Sequence, residues 1–292
     1  MDAALKASYE ECKRLNSLHG KTYYLATLLL PAEKRPYVHA LYGFARYADE
    51  IVDDLASTLS PQEKAEALRS WSSGVLADLK AGTSSDHIGR ALVDTARKFD
   101  IPHQHFVDFL HSMEMDLTVT EYQTYDDLLE YVYGSAAVIG LEMVPILGYS
   151  DQSAYEAAKK LGIAFQLANF IRDVGEDLDR GRVYLPLQEL AKFGVDRAAL
   201  ERRTLTPEII NALKFQIARV RQLQAEAEIG IAYLDKVSRP CIRAASELYC
   251  GIVDEVEAIG YDIFNKRAKT STGRRARVAG VAYLQAIAAR IR

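Results

Sequence analysis

The sequence predicts an all-α protein, on three observations. Apolar residues recur every three or four positions along most of the chain, which is the period of an α-helix. The alternation that marks β-strands is absent between turn-forming residues. Proline stands at expected helix starts, as in Ser60-Pro61-Gln62-Glu63, where it follows a capping serine. No shift in composition marks a linker, so we predict one domain, residues 1–292, with a basic tail from about residue 266.

Caps and helix breakers place the elements in chain order. The predicted helices are 3–18, 23–30, 32–54, 60–80, 86–99, 102–117, 124–147, 162–179, 206–234 and 240–264. The segment 185–203 is predicted to have little regular structure, and 278–292 has an apolar-rich helical pattern. Glu142 falls inside an apolar stretch, where a buried acid needs a partner.

The composition is typical of a soluble protein, with 49% hydrophobic and 26% charged residues. A net charge of −4 gives no reason to expect a nucleic acid partner. Cys12, Cys241 and Cys250 are odd in number and form no CxxC, which fits a reducing compartment better than disulfides or zinc. Neither a signal-peptide pattern nor an uninterrupted run of about 18 apolar residues occurs. We therefore expect a cytoplasmic protein.

An acidic row stands on one face of the predicted helix 162–179. Asn169, Asp173 and Asp177 are spaced four residues apart, so they share a face, and two acids one turn apart repel each other. The helix is expected to stop near Gly181, with Arg182 just beyond it. Carboxylates, an amide and guanidiniums beside apolar residues suggest a metal-bridged phosphate site, although such a row can also be a solvated helix face.

A second acidic row stands on the predicted helix 32–54. Arg46, Asp49 and Asp53 lie at positions i, i+3 and i+7 and therefore share a face. If the two helices face each other, four carboxylates surround one cavity, and divalent ions would be needed to hold it together. Magnesium binds through one or two carboxylates and substrate phosphate oxygens. The two rows together therefore predict a diphosphate site.

Four segments carry a resemblance to a known family: 19–24, 49–53, 131–140 and 166–186. On these motifs and their order, the chain resembles the squalene/phytoene synthase family, the head-to-head trans-prenyltransferases, over nearly its whole length. Within that family it is most similar to bacterial phytoene synthases of the actinobacterial type. The resemblance implies an isoprenoid-synthase-type helical bundle around a central cavity. The chain departs from the family's common Cys-x-x-Val-Ala-Gly motif at Val132, Ser135, Ala136 and Ala137.

The resemblance also implies roles for individual residues. Asp49, Asp53, Asp173 and Asp177 are expected to be catalytic and to bind magnesium, which manganese could replace, with Asn169 joining the metal or diphosphate shell. His19, Lys21, Arg46, Arg172 and Arg182 are expected near the diphosphates. Tyr131 is expected to face the reaction centre. Tyr249 and one of Lys266 and Arg267 are expected near the second substrate.

The reaction that the resemblance implies joins two geranylgeranyl diphosphates, through a cyclopropyl diphosphate, into phytoene for carotenoid biosynthesis. No NADPH is expected. The alternatives are a squalene, hydroxysqualene or dehydrosqualene synthase that uses farnesyl diphosphate, and a non-catalytic helical scaffold. Nothing in the sequence indicates the oligomeric state.

Several residues keep two interpretations. Tyr131 and Tyr249 could be core tyrosines with bonded hydroxyls, and His19 and Lys21 could belong to an ordinary loop. For Asp116 we favour a surface acid over a residue that orients a metal ligand. Candidate wall residues of an apolar cavity are Tyr23, Tyr24, Phe44, Tyr47 and Phe170. The tail has eight Lys/Arg and no acid, so it is expected either to rest on anionic lipid or, slightly favoured, to pack on the domain as a helix.

Overall fold

The computed structural model describes residues 2–53 and 59–291, without the side chains of Asp53 and Pro61. Its helices, in order, are α1 (Ala3–His19), α2 (Lys21–Thr27), α3 (Arg35–Asp53), α4 (Pro61–Ala81), α5 (His87–Lys98), α6 (His103–Met115), α7 (Tyr125–Val132), α8 (Val138–Leu147), α9 (Ser153–Asp179), α10 (Leu187–Ala191), α11 (Arg197–Glu201), α12 (Pro207–Gly230), α13 (Arg239–Cys250), α14 (Ile252–Ala258) and α15 (Thr272–Ile291). Those two ranges contain no β-strand, only two isolated bridges. The all-α prediction is confirmed.

Side-chain caps begin several helices where the sequence predicts them. The Ser60 hydroxyl accepts the N–H of Glu63, and the Glu63 carboxylate accepts the N–H of Ser60 at 2.8 Å. Thr124 and Asp127 form the same reciprocal pair at the start of α7. Each pair satisfies two backbone donors that a helix start leaves open. The starts of α4 and α7 are thus set by local chemistry.

Several predicted boundaries are wrong, and α9 begins at Ser153 rather than at residue 162. The segment 185–203 contains two one-turn helices, α10 and α11, and Asp196 caps the second through the N–H of Ala199 at 2.7 Å. The helix predicted over 240–264 is interrupted at Gly251 and becomes α13 and α14. The helix predicted over 23–30 ends at Thr27, because the N–H groups of Leu29 and Leu30 turn back to Ala26 and Thr27.

The helix predicted over 124–147 contains one wide π turn, Tyr133–Ala137, between α7 and α8. The N–H of Val138 reaches back five residues to the carbonyl of Tyr133, and the Ser112 hydroxyl of α6 donates to the Tyr131 carbonyl at 2.8 Å. A Cβ on Gly134 would lie 2.1 Å from the Asp108 carbonyl oxygen, so only glycine lets α6 pack this closely. Such single π turns occur often at functional sites.

The longest helix, α9, lies centrally and packs against α8, α12, α13 and α14. A buried apolar cluster surrounds α9 and α12, and another surrounds α1, α3, α5 and α6. The helical stretch Tyr125–Leu147 is the one in the described ranges long and apolar enough to cross a membrane, with 44% of that window buried. Its packing against α6 and α9 is that of a core helix.

Glu142 is fully buried on α8, and neither carboxyl oxygen has a hydrogen-bond partner among the described residues. The expectation of a partner is therefore wrong. Burial raises the pKa of this carboxyl well above its usual range, because the ionised form cannot be solvated there. The folded chain therefore favours the neutral form of Glu142 and the unfolded chain ionises more readily, which costs stability as the pH rises.

Replacing Glu142 by methionine is expected to stabilise the protein by about 1–3 kcal/mol at pH 7, since it removes a buried unsatisfied polar group. At low pH the carboxyl is neutral in both states. Above about pH 4.3, the usual pKa of glutamate, only the unfolded chain ionises, so the advantage of methionine should grow as the pH rises. Urea unfolding of wild type and Glu142→Met across pH 4.5–8 measures this. A methionine variant less stable than wild type at pH 7 would contradict the account.

Candidate active site

The two acidic rows line one polar cavity of about 350 Å³. Arg46 and Asp49 reach it from α3, and Asn169, Arg172, Asp173 and Asp177 reach it from α9. The remaining polar lining residues are Tyr42, Asp116, Tyr131, Ser135, Gln166 and Tyr184. The helical spacing that puts each row on one face therefore also points both rows into one space. Asp53 belongs to the last turn of α3, but its side chain lies outside the described residues, so its metal role stays a prediction.

On α3, Arg46 holds the first acidic row. Its guanidinium donates to Asp49 at 2.6 Å and to Glu50 at 3.2 Å. His19, at the end of α1, brings Nε2 within 3.7 Å of the same Glu50 carboxylate. His19 of α1 is therefore connected to Arg46 and Asp49 of α3 through the Glu50 carboxylate.

On α9, arginines from two segments contact Asp173. Arg172 forms an ion pair with it, and Arg267 approaches from the C-terminal segment at 3.2 Å while also pairing with Glu176 at 3.2 Å. The segment that leads to Arg267 packs closely on α9 at Gly175. A Cβ at that position would lie 2.7 Å from the Ile263 carbonyl oxygen. Lys266 instead lies 3.7 Å from Asp262 and is exposed. Of the two basic residues left open by the sequence, the structure puts Arg267 against the second acidic row.

Asp177 lies one turn beyond Asp173. Burial, and then the neighbouring Asp173 carboxylate, raise the pKa of Asp177 to about 7. Two acids in a shared, partly dry site produce such a shift, because the second charge is repelled by the first. A divalent cation would reverse it.

Asp116 lines the polar cavity, although the sequence analysis favoured a surface acid over a site residue at this position. Its carboxylate accepts hydrogen bonds from the hydroxyls of Tyr131 at 2.7 Å and Tyr184 at 2.9 Å, and its carbonyl accepts one from Arg182 at 2.7 Å. The side chain is 10% exposed, so the favoured assignment as a surface acid is wrong. Its donors come from distant parts of the chain, and the one local signal is its position at the end of the apolar helix α6.

Tyr131 has features of both roles considered for it, a core tyrosine and a tyrosine of the site. It is buried and bonded, like a core tyrosine, and it also lines the polar cavity. Burial, followed by the Asp116 carboxylate, raises its pKa well above the usual range, so the phenol keeps its proton. The hydroxyl is therefore held in place as a donor to Asp116.

An apolar cavity of about 300 Å³ continues from the polar one. Both are lined by the same five residues, Tyr42, Ala45, Phe109, Ser135 and Gln166. Beyond these shared residues, every fourth residue of two helices lines the apolar cavity. These residues are Ile139, Met143 and Leu147 on α8, and Gly162, Ala158 and Ala154 on α9. The small residues of α9 leave the space open. A charged mouth therefore leads into a narrow hydrocarbon-lined chamber.

The predicted aromatic wall is partly wrong. Tyr23 lines the apolar cavity and Phe170 lines the polar one. Phe44 is instead buried between Trp71, Phe106 and Phe109. The rings of Tyr47 and Tyr24 pack on Trp71 and His39. Helical periodicity identifies apolar faces, but it does not distinguish a core face from a cavity wall.

Six predicted binding residues line neither cavity: His19, Lys21, Arg182, Tyr249, Lys266 and Arg267. Tyr249 lies directly behind the wall, with its ring 4.5 Å from Tyr23 and 5.0 Å from Phe165, both of which line the apolar cavity. Lys21 is exposed at the first turn of α2. The roles of these six residues stay predictions.

The donor set fits a divalent metal. Within residues 2–53 and 59–291, no three His, Cys, Asp or Glu side chains form a ready-made metal cage. Magnesium does not need one, because it takes one or two carboxylates and completes its shell with substrate phosphates and water. Asp173 and Asp177 supply such a pair one turn apart, next to the Asn169 amide and across from Asp49.

A helical fold with an acidic, arginine-lined mouth and an apolar chamber defines an enzyme of the isoprenoid-synthase class. The family model for squalene/phytoene synthase matches residues 17–274. The chain therefore belongs to the squalene/phytoene synthase family. Members of this family are prenyltransferases that use a divalent metal with prenyl diphosphate substrates.

Relatives and solved structures agree with this assignment. The chain is 40% identical over 286 residues to a chloroplastic phytoene synthase from an Oncidium hybrid cultivar, covering 96% of this chain and 68% of that one. It is 38% identical over 290 residues to phytoene synthase 1 from Arabidopsis thaliana, covering 97% and 68%. A dehydrosqualene synthase in complex with a ligand superposes with a TM-score of 0.87 at 26% identity, covering 96% and 98%. The squalene synthase HpnC from Alicyclobacillus acidocaldarius shares the fold, with a TM-score of 0.81 at 23% identity over 89% and 97%.

Proposed function

We propose that the chain is a phytoene synthase, which condenses two geranylgeranyl diphosphates head to head and releases both diphosphates. The observation that carries the proposal is the 38–40% identity to curated phytoene synthases over 96–97% of this chain. The product would enter carotenoid biosynthesis. The acidic mouth and apolar chamber fit a substrate with a diphosphate head and a hydrocarbon tail.

For the head group, we assign the polar cavity to the diphosphate. Asp49, Asp53, Asn169, Asp173 and Asp177 are the residues that would hold magnesium, or manganese in its place. Bound there, the metal would neutralise the diphosphate and stabilise charge on the departing oxygen. The guanidiniums of Arg46 and Arg172 line the same cavity and are suited to phosphate oxygens, since they present several donors in a plane.

For the tail, we assign the apolar cavity to the prenyl chain. Its walls exclude water, which would otherwise quench the allylic cation. The rings of Tyr42 and Phe109 line both cavities, so they lie where the reacting carbons pass from one to the other, and aromatic faces stabilise cations. In the first half-reaction, one diphosphate leaves with its electron pair, the second substrate's double bond attacks the cation, and loss of a proton closes the cyclopropane ring. The resulting cyclopropyl diphosphate loses its own diphosphate, rearranges and releases a second proton.

A farnesyl-using dehydrosqualene synthase is the second candidate. It is supported by the solved dehydrosqualene synthase, whose fold this chain shares at 26% identity. The curated phytoene synthases are more similar in sequence. A non-catalytic scaffold would be expected to have lost metal ligands, whereas both Asp-x-x-x-Asp pairs are complete here.

Product analysis separates these candidates. We expect the purified chain with magnesium and geranylgeranyl diphosphate, without NADPH, to form phytoene, and to turn over farnesyl diphosphate more slowly. The measurement is chromatography of the hydrocarbon extract from parallel incubations with each substrate. Dehydrosqualene as the main product, with no phytoene from the longer substrate, would establish the second candidate. No product from either substrate would favour the scaffold.

A further inference from the structure

The Asp116 carboxylate is fixed in one orientation at the wall of the polar cavity. It accepts hydrogen bonds from the hydroxyls of Tyr131 and Tyr184, while the Arg182 guanidinium donates to its backbone carbonyl. Four carboxylates of described residues line this cavity, and the other three belong to the two acidic rows that are assigned to metal. Asp116 is therefore the one lining acid that the metal assignment does not use.

The two hydroxyls that bond Asp116 are not equivalent. The Tyr184 oxygen also accepts a hydrogen bond from Arg182 at 3.3 Å. No described residue donates a hydrogen bond to the Tyr131 oxygen. A phenol oxygen can donate one hydrogen bond and still accept another. Tyr131 therefore donates to a carboxylate and keeps an acceptor lone pair at the cavity that it lines.

Three further aromatic rings surround Tyr131. Their centroids lie 5.7 Å away for Tyr122, 5.6 Å for Tyr184 and 6.2 Å for Phe170. This packing excludes water from the Asp116 side of the phenol. Burial, and then the Asp116 carboxylate, raise the pKa of Tyr131 well above its usual range. The phenol is therefore expected to give up its proton only while it receives another.

The condensation proposed above releases a proton from carbon. After the first diphosphate leaves, C1 of its prenyl chain bonds to C2 of the second substrate, which puts the positive charge on C3. Closure of the cyclopropane forms the C1–C3 bond and expels a proton from C1. Such a cation is a very strong acid, so the position of the base matters more than its strength. C1 carried the diphosphate and therefore lies at the polar cavity, beside Tyr131.

From these contacts we infer that Asp116 is the final acceptor of the proton lost at ring closure, and that Tyr131 relays this proton. The Tyr131 oxygen takes the proton from C1 as its own hydroxyl proton passes to the Asp116 carboxylate. The electron pair of the C–H bond becomes the new ring bond, Tyr131 remains a neutral phenol, and Asp116 becomes a carboxylic acid. Asp116 is thus a positioning residue that acts through Tyr131. The inference rests on the proposed condensation.

Asp116→Asn is expected to slow formation of the cyclopropyl diphosphate and of phytoene by about a hundredfold, the lower part of the range for a positioned base. Magnesium-dependent binding of inorganic diphosphate should remain as in wild type, because the acidic rows are intact. Single-turnover product analysis and calorimetry measure the two effects. The matched control is Glu114→Gln, the same change two residues earlier. Glu114 is exposed and lines neither cavity, so this variant should turn over like wild type.

Two further measurements separate a relay from a merely structural role. Groups that act as one unit are not additive, so the double variant Asp116→Asn/Tyr131→Phe should be no slower than either single variant. Tyr184→Phe should cost less than Tyr131→Phe, because the relay does not pass through Tyr184. Deuterium at C1 of the substrate should slow Asp116→Asn and Tyr131→Phe more than it slows wild type, since proton loss becomes the slow step.

Additive losses without a larger isotope effect would overturn the inference and would assign the proton to the departing diphosphate. Normal turnover of Asp116→Asn would overturn it as well. If Asp116→Asn did not fold, the isotope effect in Tyr131→Phe would decide, because loss of either group should enlarge it. Consumption of geranylgeranyl diphosphate by wild type is measured in the same series. A failure of the proposed condensation therefore shows in wild type, and a failure of the relay shows only in the variants.

Discussion

Asp173→Asn is expected to lower kcat by about a thousandfold, the upper range for losing one group that stabilises transition-state charge. Asp173 lines the diphosphate cavity, accepts contacts from Arg172 and Arg267, and lies one turn from Asp177. An amide keeps the shape but removes the negative charge that a hard divalent ion requires. Steady-state turnover at saturating magnesium and geranylgeranyl diphosphate measures the effect.

The matched control is Asp179→Asn, on the last turn of the same helix. Asp179 is exposed and pairs with Arg203, away from the cavity. Its loss should change kcat less than twofold, since exposed ion pairs contribute about 0–1 kcal/mol. Both variants should keep the helix content of wild type. Near-normal turnover in Asp173→Asn, or equal losses in both variants, would contradict the assignment of the second acidic row.

Ala158→Phe is expected to abolish most phytoene formation, by about a hundredfold, while affecting farnesyl diphosphate much less. Ala158 lines the apolar cavity, eight residues before Gln166 at the mouth and four residues after Ala154. A phenyl ring there fills space that the longer prenyl chain needs, and each CH₂ of that chain kept from burial forfeits about 0.8 kcal/mol of binding. The ratio of kcat/KM values for the two substrates measures the shift.

A graded variant separates filling of the cavity from damage to the fold. Ala158→Val should reduce geranylgeranyl turnover less than phenylalanine does, and both variants should melt close to wild type. If turnover of the two substrates fell in parallel and Tm fell with it, the substitution would have disturbed the packing of α8 against α9, and the assignment of this cavity to the prenyl chain would lose its support.

The sequence predicts those parts of the site that local periodicity determines. Asp49 follows Arg46 at a helical step, and Asp177 follows Asp173 in the same way, so each row could be assigned before the fold was known. Their convergence on one cavity is a condition that the sequence leaves open and that the packing of α3 and α9 meets. The starts of α4 and α7 are predicted for a similar reason, since each capping pair lies within four residues.

Features that depend on distant parts of the chain could not be predicted in this way. Asp116 becomes a largely enclosed acceptor only because Tyr131, Tyr184 and Arg182 fold onto it. The π turn at Tyr133–Ala137 is accompanied by a hydrogen bond from the Ser112 hydroxyl of α6 to the Tyr131 carbonyl. The basic tail likewise looks unpaired in sequence, because its acidic partners, such as Asp254 for Arg274, lie on other helices. Each of these needs tertiary contacts that periodicity does not encode.

The central claim is that α3 and α9 together hold one diphosphate through metal. Calorimetric titration of inorganic diphosphate, with and without magnesium, into wild type, Asp49→Asn and Asp173→Asn tests it most directly. We predict that wild type binds diphosphate only when magnesium is present, and that either substitution, on opposite sides of the cavity, removes this binding. Diphosphate binding that is indifferent to magnesium, or that survives both substitutions, would contradict the claim.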